Sequence, residues 1–132
     1  MIVLDASAAV EFLVARDARG DWAAGEILGA GELCAPHLVD TEVVSGLRRL
    51  LLNGRIRPEA AAGAVRSWSQ LRIRRFTAAP LLERIWMLRD SLTASDATYV
   101  ALAEALELPL VTTDQRLARA GGHGAVVTAF PG

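Results

Sequence analysis

Apolar residues in this chain recur in two rhythms. Five short runs, Ile2-Val3-Leu4, Leu33-Cys34-Ala35, Ile73–Phe76, Leu110-Val111-Thr112 and Ala125–Thr128, are too brief for helices and predict strands. Between them the apolar positions return every three or four residues, the period of a helix with one buried face. Ser7 is placed to cap a helix through Val14, and Asp21 a second one to Leu28, followed by a turn at Gly29 and Gly31. Residues 38–52 form a helix with apolar positions 39, 43, 47, 50 and 51, stopped at Asn53-Gly54. Pro58 suits the first turn of another, to Leu71, and Pro80 opens one reaching Leu88. Thr93 begins a helix to Leu106, and a brief last helix ends at Ala120 before Gly121-Gly122. Strands alternating with helices predict a single α/β domain over residues 1–132, with a mostly parallel sheet covered on both faces.

Composition narrows the function classes. Hydrophobic residues make up 52% of the chain, a surplus that hints at a subunit interface. No apolar run reaches the roughly 18 residues of a membrane span. The opening residues carry Asp5 and Glu11 and no positive charge, unlike a signal peptide, and Cys34 is the single cysteine. A cytoplasmic protein without a membrane segment is expected. All fourteen basic residues are arginine, which excludes the usual Walker loop, Schiff-base enzymes and lysine-dependent phosphoacceptor domains. Net charge is −1, but residues 43–92 hold ten arginines against three acids. Such a basic middle is either a surface for a polyanion, with Arg48, Arg49 and Arg55 as candidate phosphate contacts, or a set of solvated helix faces.

Four acids stand out, each with an ordinary structural reading beside the chemical one. Asp5 and Asp114 each end a short apolar strand and precede a helix, the rim where open α/β sheets bind ligands, but aspartate is also a common helix cap. Asp96 stands third after Thr93, as in a capping box. With Val43 at zero and about 100° per residue, the apolar stripe of its helix covers about −40° to +100° and Glu42 lies near −100°, beside the stripe, with Gly46 one turn on. Asp40 points into that stripe, as a cap-region residue or a further acidic contact. Together the four carboxylates are the ligand type preferred by Mg²⁺, which can activate a water for phosphodiester hydrolysis without histidine or cysteine. Ser7, Thr112 and Thr113 are placed to orient a water or a phosphate oxygen; His37 and His123 have no ligand spacing.

The segments Met1-Ile2-Val3-Leu4-Asp5-Ala6-Ser7-Ala8, Leu92-Thr93-Ala94-Ser95-Asp96-Ala97-Thr98-Tyr99 and Leu110-Val111-Thr112-Thr113-Asp114-Gln115-Arg116-Leu117 resemble the PIN-domain ribonuclease toxins of the VapC type, over nearly the whole chain. The resemblance implies a PIN-like three-layer sandwich with a five-stranded, mostly parallel sheet. It implies a toxin endoribonuclease that cuts structured RNA, transfer or ribosomal. Asp5, Glu42, Asp96 and Asp114 would be its Mg²⁺ or Mn²⁺ ligands, and Ser7, Thr112 and Thr113 its supporting groups. A homodimer and a cognate antitoxin follow from the same likeness. One departure stands against the pattern: many relatives carry a further acid where this chain has Tyr99. It implies that a second metal ion would be weakly held. The alternative is a PIN-fold RNA- or protein-binding module with weak or lost activity, against which the four intact carboxylates argue.

Overall fold

The computed structural model describes residues 1–132. A five-stranded sheet lies at its centre, formed by β1 (Ile2–Leu4), β2 (Leu33–Pro36), β3 (Ile73–Phe76), β4 (Leu110–Thr112) and β5 (Val127–Ala129). Its order is β3-β2-β1-β4-β5, and every neighbouring pair is parallel. The helices are α1 (Ala6–Val14), α2 (Ala18–Leu28), α3 (Val39–Leu52), α4 (Pro58–Gln70), α5 (Leu82–Met87), α6 (Ala94–Leu106) and α7 (Gln115–Arg119). Helix α1 packs on α2, α3 and α4, whereas α6 lies on β1, β2 and β4 with α5 beside it. The expected α/β layers are thus present, and the sheet is fully parallel.

The chain winds outward from β1 to β3, crosses back to β4 and continues to β5. The direction reverses between β1 and β4, so their carboxyl ends leave the crevice where such sheets hold ligands. Both strands are buried on both faces, which is why they read as continuous apolar runs. Helix α6 has no polar stripe because Ala97 through Ala103 are all buried.

Several boundaries differ from the pattern. Helix α1 starts at Ala6 with Asp5 in the N-cap position, so Ser7 sits inside the first turn and caps nothing. Asp17, not Asp21, caps α2: its Oδ1 accepts from the backbone N–H groups of Arg19 and Gly20, leaving Asp21 in the first turn. Pro80 lies in a single 3-10 turn, Ala79–Leu81, that precedes α5. The last strand is Val127–Ala129, because the Ala125 N–H turns to His123 Nδ1 and pairing begins where Leu110 donates to the Val126 carbonyl.

Candidate active site

Asp5 leaves β1 still paired to β4, its N–H on the Val111 carbonyl at 3.0 Å, and is only 7% exposed. Its Oδ2 accepts two short hydrogen bonds, from Ser7 Oγ at 2.7 Å and from Thr112 Oγ1 at 2.6 Å. Each hydroxyl in turn accepts a backbone N–H: Thr113 donates to Ser7 Oγ and Asp114 to Thr112 Oγ1. With both hydroxyl protons committed to Asp5, the 3.1 Å approach of Ser7 Oγ to Thr112 Oγ1 is a contact between acceptors, held by this network. Thr112 is fully buried. Ser7 and Thr112, expected to orient a water or a phosphate oxygen, instead fix Asp5 and join the ends of β1 and β4, and Thr113 contributes its backbone N–H.

Glu42 projects from the first turn of α3, half-buried, and accepts from the Tyr99 hydroxyl at 2.7 Å. Burial, then the Glu42 hydrogen bond, pushes the tyrosine far above its usual titration range, so it remains a donor. Asp96 lies in the first turn of α6. Thr93 caps that helix by accepting the Asp96 N–H at 3.2 Å, but the reciprocal half of a capping box is missing. The Asp96 carboxylate lines the cleft instead.

Asp114 is the N-cap of α7, with Oδ1 accepting the Arg116 N–H at 2.9 Å. The Arg116 guanidinium also closes on it, Nε at 3.0 and 3.1 Å and Nη2 at 2.6 Å. That fork holds the Asp114 carboxyl below its usual range. Burial, followed among the raising causes by the Asp96 charge, holds the Asp5 carboxyl above its own. Glu42 is raised by burial and, more weakly, by the charges of Asp5 and Asp96, which outweigh the Tyr99 bond. No cationic side chain contributes to either raised acid.

These four acids open onto one cleft of about 300 Å³, together with Ser7, Thr113, Gly46 and Arg49. Residues 42, 46, 49 and 50 share one side of α3 at helical spacing, so that side forms a wall. A Cβ on Gly46 would come within 2.9 Å of Val10 Cγ2, so the glycine permits the close approach of α1 and α3. No three acidic, histidine or cysteine side chains stand close enough together to enclose an ion directly.

Other candidates lie elsewhere. Arg48 and Arg55 are exposed but outside the cleft. Asp40 belongs to a structural cluster, accepting from Trp68 Nε1 at 2.8 Å and from Arg75 Nε at 2.7 Å. Arg84 is similarly spent on Glu104, and Arg74 lies against Glu32, so the arginine-rich middle is not one basic face. Neither histidine reaches the cleft. Two residues the pattern gave no role, Tyr99 and Arg116, make direct hydrogen bonds to Glu42 and Asp114. The available signals were weak ones: Tyr99 follows Asp96 by nearly one helical turn, and Arg116 follows Asp114 by two residues.

Comparison with known proteins finds relatives in sequence and in fold over nearly the whole chain. The family model for the PIN domain matches residues 2–123. Ribonuclease VapC9 of Mycobacterium tuberculosis is 44% identical over 131 residues, 99% of this chain and 99% of that protein. Among solved structures, the sarcin-ricin loop cleaving toxin VapC20 of Mycobacterium tuberculosis superposes with a TM-score of 0.70 at 21% identity, covering 96% of this chain and 98% of the other. VapBC2 of Rickettsia felis, solved bound to a DNA fragment from its promoter, gives a TM-score of 0.68 at 17% identity, covering 98% and 99%.

Proposed function

The chain belongs to the PIN-domain family, in the branch of the VapC ribonucleases, and from that premise we propose that it is the toxin endoribonuclease of a toxin–antitoxin pair, cutting structured RNA with the help of Mg²⁺ or Mn²⁺. The observation that carries this reading is the convergence of Asp5, Glu42, Asp96 and Asp114 on one cleft, where the buried Asp5 and the half-buried Glu42 accept hydrogen bonds only from neutral hydroxyl groups among side chains. A divalent cation is the complement such a group lacks.

The donor set suits it. All donors are oxygens, and Mg²⁺ binds through one or two carboxylates while keeping several waters, which an open cleft accommodates even without a closed cage. Asp5, Glu42 and Asp96 would hold it, with Asp114 joining once Arg116 releases it. Bound there, the ion supplies the positive charge that makes a water nucleophilic and stabilises the leaving oxygen of a phosphodiester. The protein's own part is positional. Ser7 and Thr112 fix one Asp5 oxygen, so the other keeps a constant direction. Tyr99 does the same for Glu42. Thr113 and Arg49 line the route by which a phosphate reaches the acids, and Arg48 and Arg55 extend positive charge beyond Arg49 along and just past α3.

The partners proposed are RNA, a cognate antitoxin and a second copy of the chain; Trp86 and Met87, both exposed on α5, suit a homodimer interface. No helix is long and apolar enough to cross a membrane. A PIN-fold binding module with weak activity is the second reading, and Arg116 on Asp114 favours it. An RNA-cleavage assay with Mn²⁺ separates them. Wild type should cut transfer or ribosomal RNA, and Asp5→Asn, Asp96→Asn and Asp114→Asn should each lose at least about a hundredfold in rate, without additivity. Near wild-type cleavage by two of the three would remove these acids from the chemistry.

A further inference from the structure

A second cleft, of about 270 Å³, adjoins the first and shares Thr113 and Asp114 with it. Three of the four arginines outside the basic middle of the sequence meet there: Arg19 from the start of α2, and Arg116 and Arg119 from α7. They come from segments about a hundred residues apart, so the chain itself gives no sign of the cluster. All three are exposed.

Their side chains are held, not loose. The Arg19 guanidinium lies over the Phe130 ring, 5.1 Å from its centroid, and Phe130 is braced edge-on by Trp22. Arg119 Nη2 donates to Gln115 Oε1 at 2.8 Å, while Gln115 Nε2 donates to the Phe130 carbonyl at 2.8 Å. Gln115 and Phe130 thus tie the end of β5 to α7 and set both arginines on one wall. The nearby Asp17 spends Oδ1 on two backbone N–H groups. Among the side chains that line the cleft, three guanidinium groups meet one carboxylate, Asp114, while Glu11 lies near enough to Arg19 to feel its charge.

We infer that this cleft is a phosphate-binding subsite of the RNA substrate, in which Arg19 and Arg119 hold a backbone phosphate beside the one being cut. Guanidinium forks match phosphate oxygens, and a polyanion that passes over the acidic cleft needs a cationic hold next to it. The shared rim, Thr113 and Asp114, brings the strand from one cleft to the other. Arg116 stands on that rim, where it can exchange the Asp114 carboxylate for a phosphate as substrate arrives. The inference rests on the ribonuclease reading above and adds to it where the RNA lies.

The test uses a fluorescein-labelled RNA hairpin and full-length protein carrying Asp5→Asn to prevent cutting, titrated at several salt concentrations. Arg19→Gln with Arg119→Gln should flatten the slope of log affinity against log salt by roughly one per arginine removed. The charge-keeping pair Arg19→Lys and Arg119→Lys should retain most of the slope. It also shows whether loss of the Phe130 contact alone disturbs folding, read by thermal melting. An unchanged slope in the glutamine pair, with wild type binding and cutting RNA, overturns the subsite alone. Equal flattening in the lysine pair also overturns it, since charge would then not be the cause. A wild type that neither binds the hairpin nor cuts transfer or ribosomal RNA with Mn²⁺ overturns the ribonuclease reading and the subsite together.

Discussion

Tyr99 and Glu42 approach each other across 57 positions of sequence, and their 2.7 Å bond decides what kind of carboxylate the site contains. A buried hydroxyl that never ionises in the ordinary range is a fixed donor, so Glu42 is steered without being neutralised. Tyr99→Phe should cost about 1 to 2 kcal/mol of stability in a denaturant melt, for a half-buried acceptor left unpaired, and should weaken Mn²⁺ affinity. Asp5 adds a pH effect whose sign is set by its raised titration range. A carboxyl whose folded value is raised is penalised when ionised; the penalty is complete above that value and fades as pH falls toward the ordinary 3.8. Asp5→Asn removes the penalty. Its melting temperature in EDTA should exceed that of wild type at neutral pH, and the gap should close on acidification. That the four acids share a cleft was partly legible: Asp5 and Asp114 stand at strand ends and Asp96 near a helix start, whereas Glu42 shows in sequence only as an acid beside the apolar stripe of α3. Of the groups that hold them, Ser7 and Thr112 stood out as polar neighbours, but the Tyr99 bond to Glu42 did not, since it joins α6 to α3 only in the folded chain.

Elements were legible as far as local periodicity and caps dictate them. Ile73–Phe76 and Leu110–Thr112 fall where the apolar runs place them. The start of α2 did not, since Asp17 and Asp21 are both competent caps and the turn after α1 chooses between them. Gly20 explains the choice: a Cβ there would meet the Ala15 carbonyl oxygen at 2.4 Å, so only glycine lets α2 fold back this tightly on α1. Because the obstacle is backbone, Gly20→Ala should destabilise by about 2 kcal/mol or more, opening the corner that carries Arg19. At the far end of α6, Glu107 adopts a left-handed backbone, φ 55°, in the C-cap position. Glu107→Gly should raise stability by up to about 1 kcal/mol in chemical denaturation, as it lies outside both clefts.

At the scale of the whole molecule, charge was the least legible property. The sequence shows a basic middle and acidic flanks, yet Arg75 and Arg84 of the middle are spent in ion pairs while Arg19, Arg116 and Arg119 of the flanks gather beside the acids. Counting charges along a chain cannot anticipate a cluster assembled from its two ends. The same assembly divides the four acids. Repulsion among all of them would let either Asp96→Asn or Asp114→Asn stabilise the metal-free protein, but Arg116 already neutralises Asp114. Asp96→Asn should therefore raise the melting temperature in EDTA and Asp114→Asn should not. Mg²⁺ at ten times its dissociation constant should stabilise wild type by about 1.4 kcal/mol, and both variants much less. The Asp5–Thr112 bond, spanning 107 positions, has one more consequence, which concerns the order of synthesis. A ribosome making this chain completes β1, α1, Asp5 and Glu42 long before β4 exists to hold Asp5. Until the segment through Asp114 has emerged and docked, the carboxylates have no fixed arrangement and the growing chain has no assembled centre.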